Sequence, residues 1–258
     1  MNKLKTVVVM PGYNAESTFK KTILDIPFNQ VDEIIFVDDA STDNTVDELK
    51  AFCSNNPKLT LSDGEKEKNP EKILLTIHQH KKNLGYGGNQ KSCYDLALQR
   101  GADIVVMLHP DYQYDPKLIK YFVEYIKDGY FDVMLGSRIR SRRETLAGGM
   151  PVYKYYSNRF LSFIENTITG QNLSEWHTGM RAYKREVLEN IKYHRFSDDF
   201  VFDTEMLFAI IKKGYLIADI PVPVRYFKEA SSINFKRSLK YGFSTLRETA
   251  KFLFKFFS

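Results

Sequence analysis

Along the first half of the chain, short β-branched and apolar runs alternate with stretches whose apolar positions recur three and four residues apart. The runs at 6–10, 33–38, 72–79, 103–108 and 132–136 read as strands. The stretches at 18–26, 45–52, 86–99 and 117–127 read as helices, with Asp43 and Pro116 suited to open two of them. Such alternation predicts βαβ units and a mostly parallel sheet flanked by helices, an α/β fold. Residues 55–71, with Asn, Pro, Gly and alternating Lys and Glu, read as a solvated loop. Residues 138–149 are Arg-rich, end in Gly148-Gly149, and read as a second loop able to order over a substrate.

Beyond Asp203 a helical pattern runs to Lys213, and the apolar run 215–224, with Pro221 and Pro223, suits an edge strand. From Phe235 onward, Leu239, Phe243, Leu246, Ala250, Leu253 and Phe257 recur at helical spacing, interleaved with Lys236, Arg237, Lys240, Arg247, Lys251 and Lys255. A basic amphipathic helix of this kind lies on a membrane surface or packs on its own domain or a second subunit. The expected organisation is one domain over 1–230 and a helical extension over 231–258.

Composition narrows the class. The 258 residues are enough for one large α/β core, and 43% hydrophobic with 27% charged residues excludes a disordered or fibrous chain. A net charge of +5 favours anionic partners, but the basic residues are dispersed and no RNA-recognition motif is present, so nucleic acid is not expected. Cys53 and Cys93 are far apart and form no CxxC pair, which supports neither a zinc site nor a disulfide framework. The apolar run after Lys3 and Lys5 is too short for a signal segment, and nowhere do about 18 apolar residues follow one another. The expectation is a cytoplasmic protein, attached to a membrane peripherally or through a partner.

In an open parallel sheet, ligands bind beyond the carboxyl ends of the strands. The polar segments there are Pro11-Gly12-Tyr13-Asn14-Ala15-Glu16, Asp38-Asp39-Ala40-Ser41-Thr42-Asp43, Asn83-Leu84-Gly85-Tyr86-Gly87-Gly88-Asn89 and His109-Pro110-Asp111-Tyr112-Gln113. Carboxylates after the second strand suit a ribose or a base N–H, and glycines allow close approach of backbone to ligand. A carboxylate after the fourth suits Mg²⁺ or Mn²⁺ held against a diphosphate.

These segments, taken in order with Gly136-Ser137-Arg138 and Thr178-Gly179-Met180-Arg181, resemble glycosyltransferase family 2 of GT-A fold, in its branch of polyprenyl-phosphate sugar transferases similar to dolichyl-phosphate mannose synthase. The resemblance spans Val7 to about Ile233. It implies a UDP- or GDP-linked sugar donor, with Pro11, Tyr13, Glu16 and Asp39 at the nucleoside and Asn14, Ser41, Gly85, Gly88 and Asn89 as further donor contacts. It implies Asp111 and Gln113 at the divalent metal and diphosphate. Where the family usually shows Asp-x-Asp-x-Gln, this chain has His109 first, a ligand that suits Mn²⁺ better than Mg²⁺. The resemblance also implies Arg138 and Arg181 at an acceptor phosphate, beside a cluster of Arg140, Arg142 and Arg143. Glu175 stands where polyprenyl-phosphate enzymes often carry Asp.

The expected reaction is an inverting transfer to a polyprenyl phosphate. A phosphate monoester with a second pKa near ~6 is already a nucleophile at neutral pH and needs charge neutralisation more than a base. The aromatic segment 153–164 and the basic terminal helix suit a lipid acceptor at an interface, with a membrane protein or second copy as a possible partner. A saccharide hydroxyl acceptor would instead need a base, for which Asp203 and Glu205 are available; both also suit a helix N-terminus. A nonenzymatic nucleotide-sugar binder is the alternative that His109 suggests.

Overall fold

The structure is a computed structural model that describes residues 3–62, 72–139, 141–223 and 235–256. Residues 63–71 of the expected loop, Arg140, Val224 and Phe257 lie outside the described residues, as do the side chains of Phe235, Lys236 and Lys255. Eight strands form one sheet: β1 (Thr6–Gly12), β2 (Glu33–Asp38), β3 (Leu59–Leu61), β4 (Ile73–Gln79), β5 (Ile104–Met107), β6 (Val133–Ser137), β7 (Arg181–Lys184) and β8 (Ile217–Pro221). Their order is β3-β4-β2-β1-β5-β7-β6-β8, parallel throughout except that β7 runs antiparallel to both β5 and β6. The helices are α1 (Phe19–Leu24), α2 (Thr45–Asn55), α3 (Gly85–Gln99), α4 (Ile119–Lys127), α5 (Arg142–Ala147), α6 (Val152–Thr169), α7 (Arg185–Asn190), α8 (Phe202–Lys212) and α9 (Phe235–Phe256).

The central strands are apolar on both faces because both faces are covered. Val7, Val9, Ile35 and Val37 face Cys93, Tyr94 and Ala97 of α3 and Met206, Leu207 and Ile210 of α8. The alternate positions, Val8, Met10, Ile34 and Phe36, face α1, α2 and α4. The expected α/β fold is therefore observed, with β8 as the edge strand that its prolines suit.

Four elements differ from expectation. The solvated loop contains β3, which extends the sheet beyond β4. The Arg-rich segment folds in part as α5, whose Ser141 cap accepts a hydrogen bond from the Glu144 N–H. The aromatic segment is α6, closed by Gly170 in the left-handed region at φ 71°. β7 is four residues long and half charged, yet it pairs with Met107 and Leu135 through Arg181 at the centre of the sheet.

The start of α3 is seated on the chain that leads into α8. The Gly87 N–H donates to the Asp198 carbonyl at 2.7 Å. A Cβ at Gly87 would stand 2.4 Å from the Ser197 carbonyl oxygen and 2.8 Å from the Phe202 Cβ. α9 packs on α6 and α8 and stacks Phe252 on Phe208, ring centroids 4.8 Å apart. Gly87→Ala is expected to lower stability by about 1–3 kcal/mol through overpacking. Gly242→Ala, whose Cβ would meet nothing within 4 Å, should be neutral or raise it by up to about 1 kcal/mol through helix propensity. Urea unfolding of the two variants checks both.

Candidate active site

A cleft of about 1440 Å³ opens at the carboxyl ends of β1, β2 and β5, walled on its far side by α6, the start of α8 and α9. It exceeds the few hundred to about 1,000 Å³ typical of single-ligand pockets, which leaves room for two substrates.

Its first end is built by β1 and β2. Pro11 and Tyr13 line it, and Asn14, at φ 50°, lines it too while its Oδ1 accepts from the Thr42 N–H at 2.8 Å. The buried Asp39 carboxylate accepts from the Leu84 N–H at 2.8 Å and the Gly85 N–H at 3.0 Å, and meets His80 Nδ1 at 2.8 Å. A carboxylate has about four acceptor positions, so one remains for a ligand. Asn89 lines the same end; its Nδ2 bridges the Gly12 and Val37 carbonyls, and its buried Oδ1 has no hydrogen-bond partner among the described residues.

Three expected donor contacts are placed elsewhere. Glu16 turns to the start of α2, where it accepts from the Asn44 N–H at 3.1 Å. Ser41 donates to Asp38 and accepts from the Asn14 N–H at 2.8 Å. Gly88 packs beneath Leu84, where a Cβ would stand 2.8 Å from the Leu84 Cβ. Glu16 and Ser41 shape the loops around the cleft, Gly88 lies within α3, and none of the three lines it. Gly85 does line it, and its φ of 86° with the Asp198 carbonyl alongside explains the glycine there.

Midway sit His109, Asp111 and Gln113. Burial pushes the Asp111 carboxyl above the usual carboxylate range, opposed by His109, by Arg138 and by the Gln113 N–H it accepts at 3.1 Å. A cation there would offset that desolvation. Divalent ions at nucleotide sites commonly take one or two protein carboxylates and complete their shell with phosphate oxygens, so Asp111 and Gln113 fit one. His109, in the same lining, stacks its ring on Tyr86 with centroids 5.4 Å apart, and its Nε2 lies 3.3 Å from the Tyr86 hydroxyl. Among the described residues no group of three or more His, Cys, Asp or Glu side chains converges as a ready metal cage.

The far end is cationic. Arg138 donates from its backbone N–H to Glu175 Oε2 at 2.7 Å and from Nε to Oε1 at 2.8 Å, and its Nη2 reaches Oε1 and the His177 carbonyl. Lys154, on the first turn of α6, lines the cleft as well. Burial and then the Arg138 charge lower its pKa to about 8, with Glu175 opposing. Two cations against one carboxylate leave a net positive end. Arg142 and Arg143 are exposed on α5 outside the cleft lining.

Arg181 does not reach this end. It is fully buried: Nε donates to the Thr178 carbonyl at 2.9 Å, the two terminal nitrogens to the Asp203 and Trp176 carbonyls at 3.2 Å each, and Nη2 lies 3.4 Å from Asp203 Oδ2. Burial, the largest single influence, lowers its pKa, but Asp203 together with Tyr183, Tyr86 and Tyr94 outweighs it and the net shift is upward. Asp203 also accepts from the Tyr86 hydroxyl at 2.8 Å and from Gln90 at 3.2 Å. Glu205 lines the cleft, raised by half-burial and accepting from the Ser197 N–H at 2.7 Å.

Lys154, Tyr86, His177 and Tyr241 are cleft residues that sequence reasoning missed. His177 Nδ1 lies 2.6 Å from the Tyr241 hydroxyl of α9, and its Nε2 lies 3.1 Å from the buried Glu165. The terminal helix is thus a wall of the cleft. Lys154, a lysine inside an aromatic run, and Tyr86, inside the Asn83–Asn89 segment, had usable signals.

The family model described as glycosyl transferase family 2 matches residues 7–192. A UDP-N-acetylglucosamine–dolichyl-phosphate N-acetylglucosaminyltransferase of Methanococcus voltae is 27% identical over 219 residues, 85% of each chain. A dolichyl-phosphate hexose transferase of Haloferax volcanii is 32% identical over 122 residues, 47% of this chain and 50% of that one. Among solved structures, glucosyl-3-phosphoglycerate synthase from Mycobacterium tuberculosis in complex with UDP aligns with TM-score 0.67 at 17% identity, covering 97% of this chain and 80% of that one. The same synthase with Mn²⁺, UDP and glucosyl-3-phosphoglycerate aligns with TM-score 0.63, also at 17% identity, covering 95% and 80%.

Arg181→Met is expected to cost about 3–5 kcal/mol, because it strands the Asp203 carboxylate in the interior; denaturant unfolding reads this directly. Lys154 sets a pH signature. Between a folded pKa of about 8 and the ordinary lysine value of 10.5, the unfolded chain holds a proton that the folded chain has lost. Stability relative to Lys154→Met should therefore rise with pH across that window, as paired urea titrations will show.

Proposed function

We propose that this chain, which belongs to glycosyl transferase family 2, transfers a sugar with inversion from a UDP-linked donor to a polyprenyl phosphate. It is a glycosyltransferase, and its fold is the GT-A arrangement of the mycobacterial synthase. The observation that carries the reading is the sequence of three stations along one cleft: Asp39 with Asn89, then Asp111, then Arg138 with Lys154.

Asp39, fixed by the first turn of α3, has one acceptor position to offer a base or ribose N–H or O–H. UDP is favoured because it appears in the names of the Methanococcus relative and of the mycobacterial complexes. Asp111 and Gln113 would hold a divalent ion, and such an ion offsets charge that builds on a leaving diphosphate. Lys154 and Arg138 draw an anionic acceptor to the opposite side, where an oxygen of the phosphate attacks the anomeric carbon. The bond from that carbon to the diphosphate breaks, its electron pair leaves with the nucleotide, and no enzyme-bound sugar forms. Glu175 Oε1 accepts from both Nε and Nη2 of the Arg138 guanidinium, which fixes it and leaves Lys154 as the cation with the more adjustable charge.

A phosphate acceptor also suits Asp203. Its oxygens are engaged by Arg181, Tyr86 and Gln90, so it ties the wall of the cleft together instead of standing open to a sugar hydroxyl. With a lipid-linked acceptor, the chain works at a membrane surface, on the cytoplasmic face where nucleotide sugars are held.

The test begins with thermal shifts. UDP and UDP-sugars with Mn²⁺ are expected to raise the melting temperature, and GDP is not. Asp39→Ala should weaken UDP by about ten- to a hundredfold, the worth of a hydrogen bond to a charged group. Asp111→Asn should abolish the metal dependence of the shift and lower turnover by about a hundredfold or more. Transfer to a saccharide hydroxyl with none to a lipid phosphate would overturn the acceptor reading.

A further inference from the structure

α6 and α9 lie side by side at the mouth of the cleft, and each turns its apolar stripe away from the core. On α6, Val152, Tyr153, Tyr156, Phe160 and Phe163 are exposed, whereas Tyr155, Asn158, Leu161, Ser162 and Glu165 are buried. At 3.6 residues per turn the exposed set falls within an arc of about 100° on the side opposite the buried set. α9 repeats the inversion: Leu239, Phe243, Leu246 and Phe254 are exposed, while Thr245, Thr249 and Phe252 face the domain. Phe163, Phe243 and Phe254 are 69%, 72% and 73% exposed. Helices that bury threonine, asparagine and glutamate while leaving six aromatic rings in water are arranged for a surface outside the chain.

We propose that this two-helix face docks the protein on an anionic lipid bilayer, a proposal that rests on the lipid-phosphate reading above and names the surface that serves it. Three observations select a bilayer over another occupant. Exposed Arg237, Lys240, Arg247 and Lys251 border the α9 stripe; Lys240 pairs with Asp199 and Lys251 with Glu248, and four cations against these two carboxylates leave the border net positive. A second copy seated on this face would set that positive border against its own like charge, whereas anionic head groups complement it. The stripe is also continuous with the cleft, because Tyr153, Phe160, Leu239 and Phe243 both lie on the face and line the cleft. An isoprenoid chain can thus remain in the acyl layer while its phosphate reaches Lys154 and Arg138. Finally, tyrosine and phenylalanine beside a basic border is the composition of a helix lying in the interfacial plane. No described helix is long and apolar enough to cross a membrane, so docking is in-plane.

Vesicle flotation tests the face. The full chain is mixed with phosphatidylcholine vesicles and with vesicles that also carry phosphatidylglycerol. Flotation with the anionic vesicles, weakened by added salt, is expected. The double variant Phe163→Ser, Phe254→Ser changes only residues outside the cleft lining and should bind the anionic vesicles roughly tenfold or more weakly. Its circular dichroism and its UDP thermal shift should match those of the unmodified chain. Lys251→Glu should reduce the preference for anionic vesicles. Wild type that floats with neither vesicle, or a double variant that floats as well as wild type, overturns the proposal. So does a concentration-dependent dimer that the double variant abolishes while no vesicle is bound. A UDP shift without vesicle binding removes the docking face and leaves the transferase reading standing. Vesicle binding that depends on Phe163 and Phe254 in a chain that transfers no sugar to lipid phosphate keeps the face and removes the acceptor.

Discussion

The buried pair of Arg181 and Asp203 fixes the geometry on which the rest of the cleft depends. Taking two charges out of water costs several kcal/mol each, and the cost is offset only where attraction is close and the remaining donors and acceptors are satisfied. Here they are: the guanidinium reaches three carbonyls, and the carboxylate takes a tyrosine hydroxyl and a glutamine amide. These partners come from β7, the 176–178 turn, α8 and α3. Moving any one of them unpairs a buried polar group, so they move together or not at all.

This explains why an antiparallel strand sits in an otherwise parallel sheet. β7 brings Arg181 between Met107 and Leu135, at a depth that a surface loop would not reach. The 176–179 turn that precedes it then carries the Arg138 contact and the close packing of Gly179 against His109. Fold and site share the same short segment.

How much was legible follows from the same physics. The parallel strands were readable because a strand buried on both faces is a continuous apolar run, and β2 was bounded at residues 33–38 from such a run alone. β7 was not, since its inward residue is a charge whose partners lie 22 or more residues away or in a turn with no apolar signal. α6 was visible as an aromatic segment, but its helix was hidden because the usual pattern is largely reversed: Asn158, Ser162 and Glu165 are buried beside Tyr155 and Leu161, while four rings face outward. At the site, the order of motifs located the cleft but not the direction of each side chain. Asp39, Asn89 and Asp111 sit in it, whereas Glu16 and Ser41, from the same motifs, turn into the loops that hold it open.

The remaining constraint is the spacing between the two ends of the cleft, and it is set by one turn and a half of α3. Leu84 and Gly85 tie Asp39. Tyr86 and Gln90 tie Asp203. Gly87 seats on the Asp198 carbonyl, and Asn89 joins the ends of β1 and β2. Against that helix, His109 in place of a carboxylate has a physical logic. An aspartate there would stand beside Asp111 and Asp203 and raise the repulsion among buried acids, whereas an imidazole stacks on Tyr86 and meets its hydroxyl. The side chain that stands in place of a carboxylate thereby joins the Asp111 loop to the same helix that aligns the two ends of the cleft.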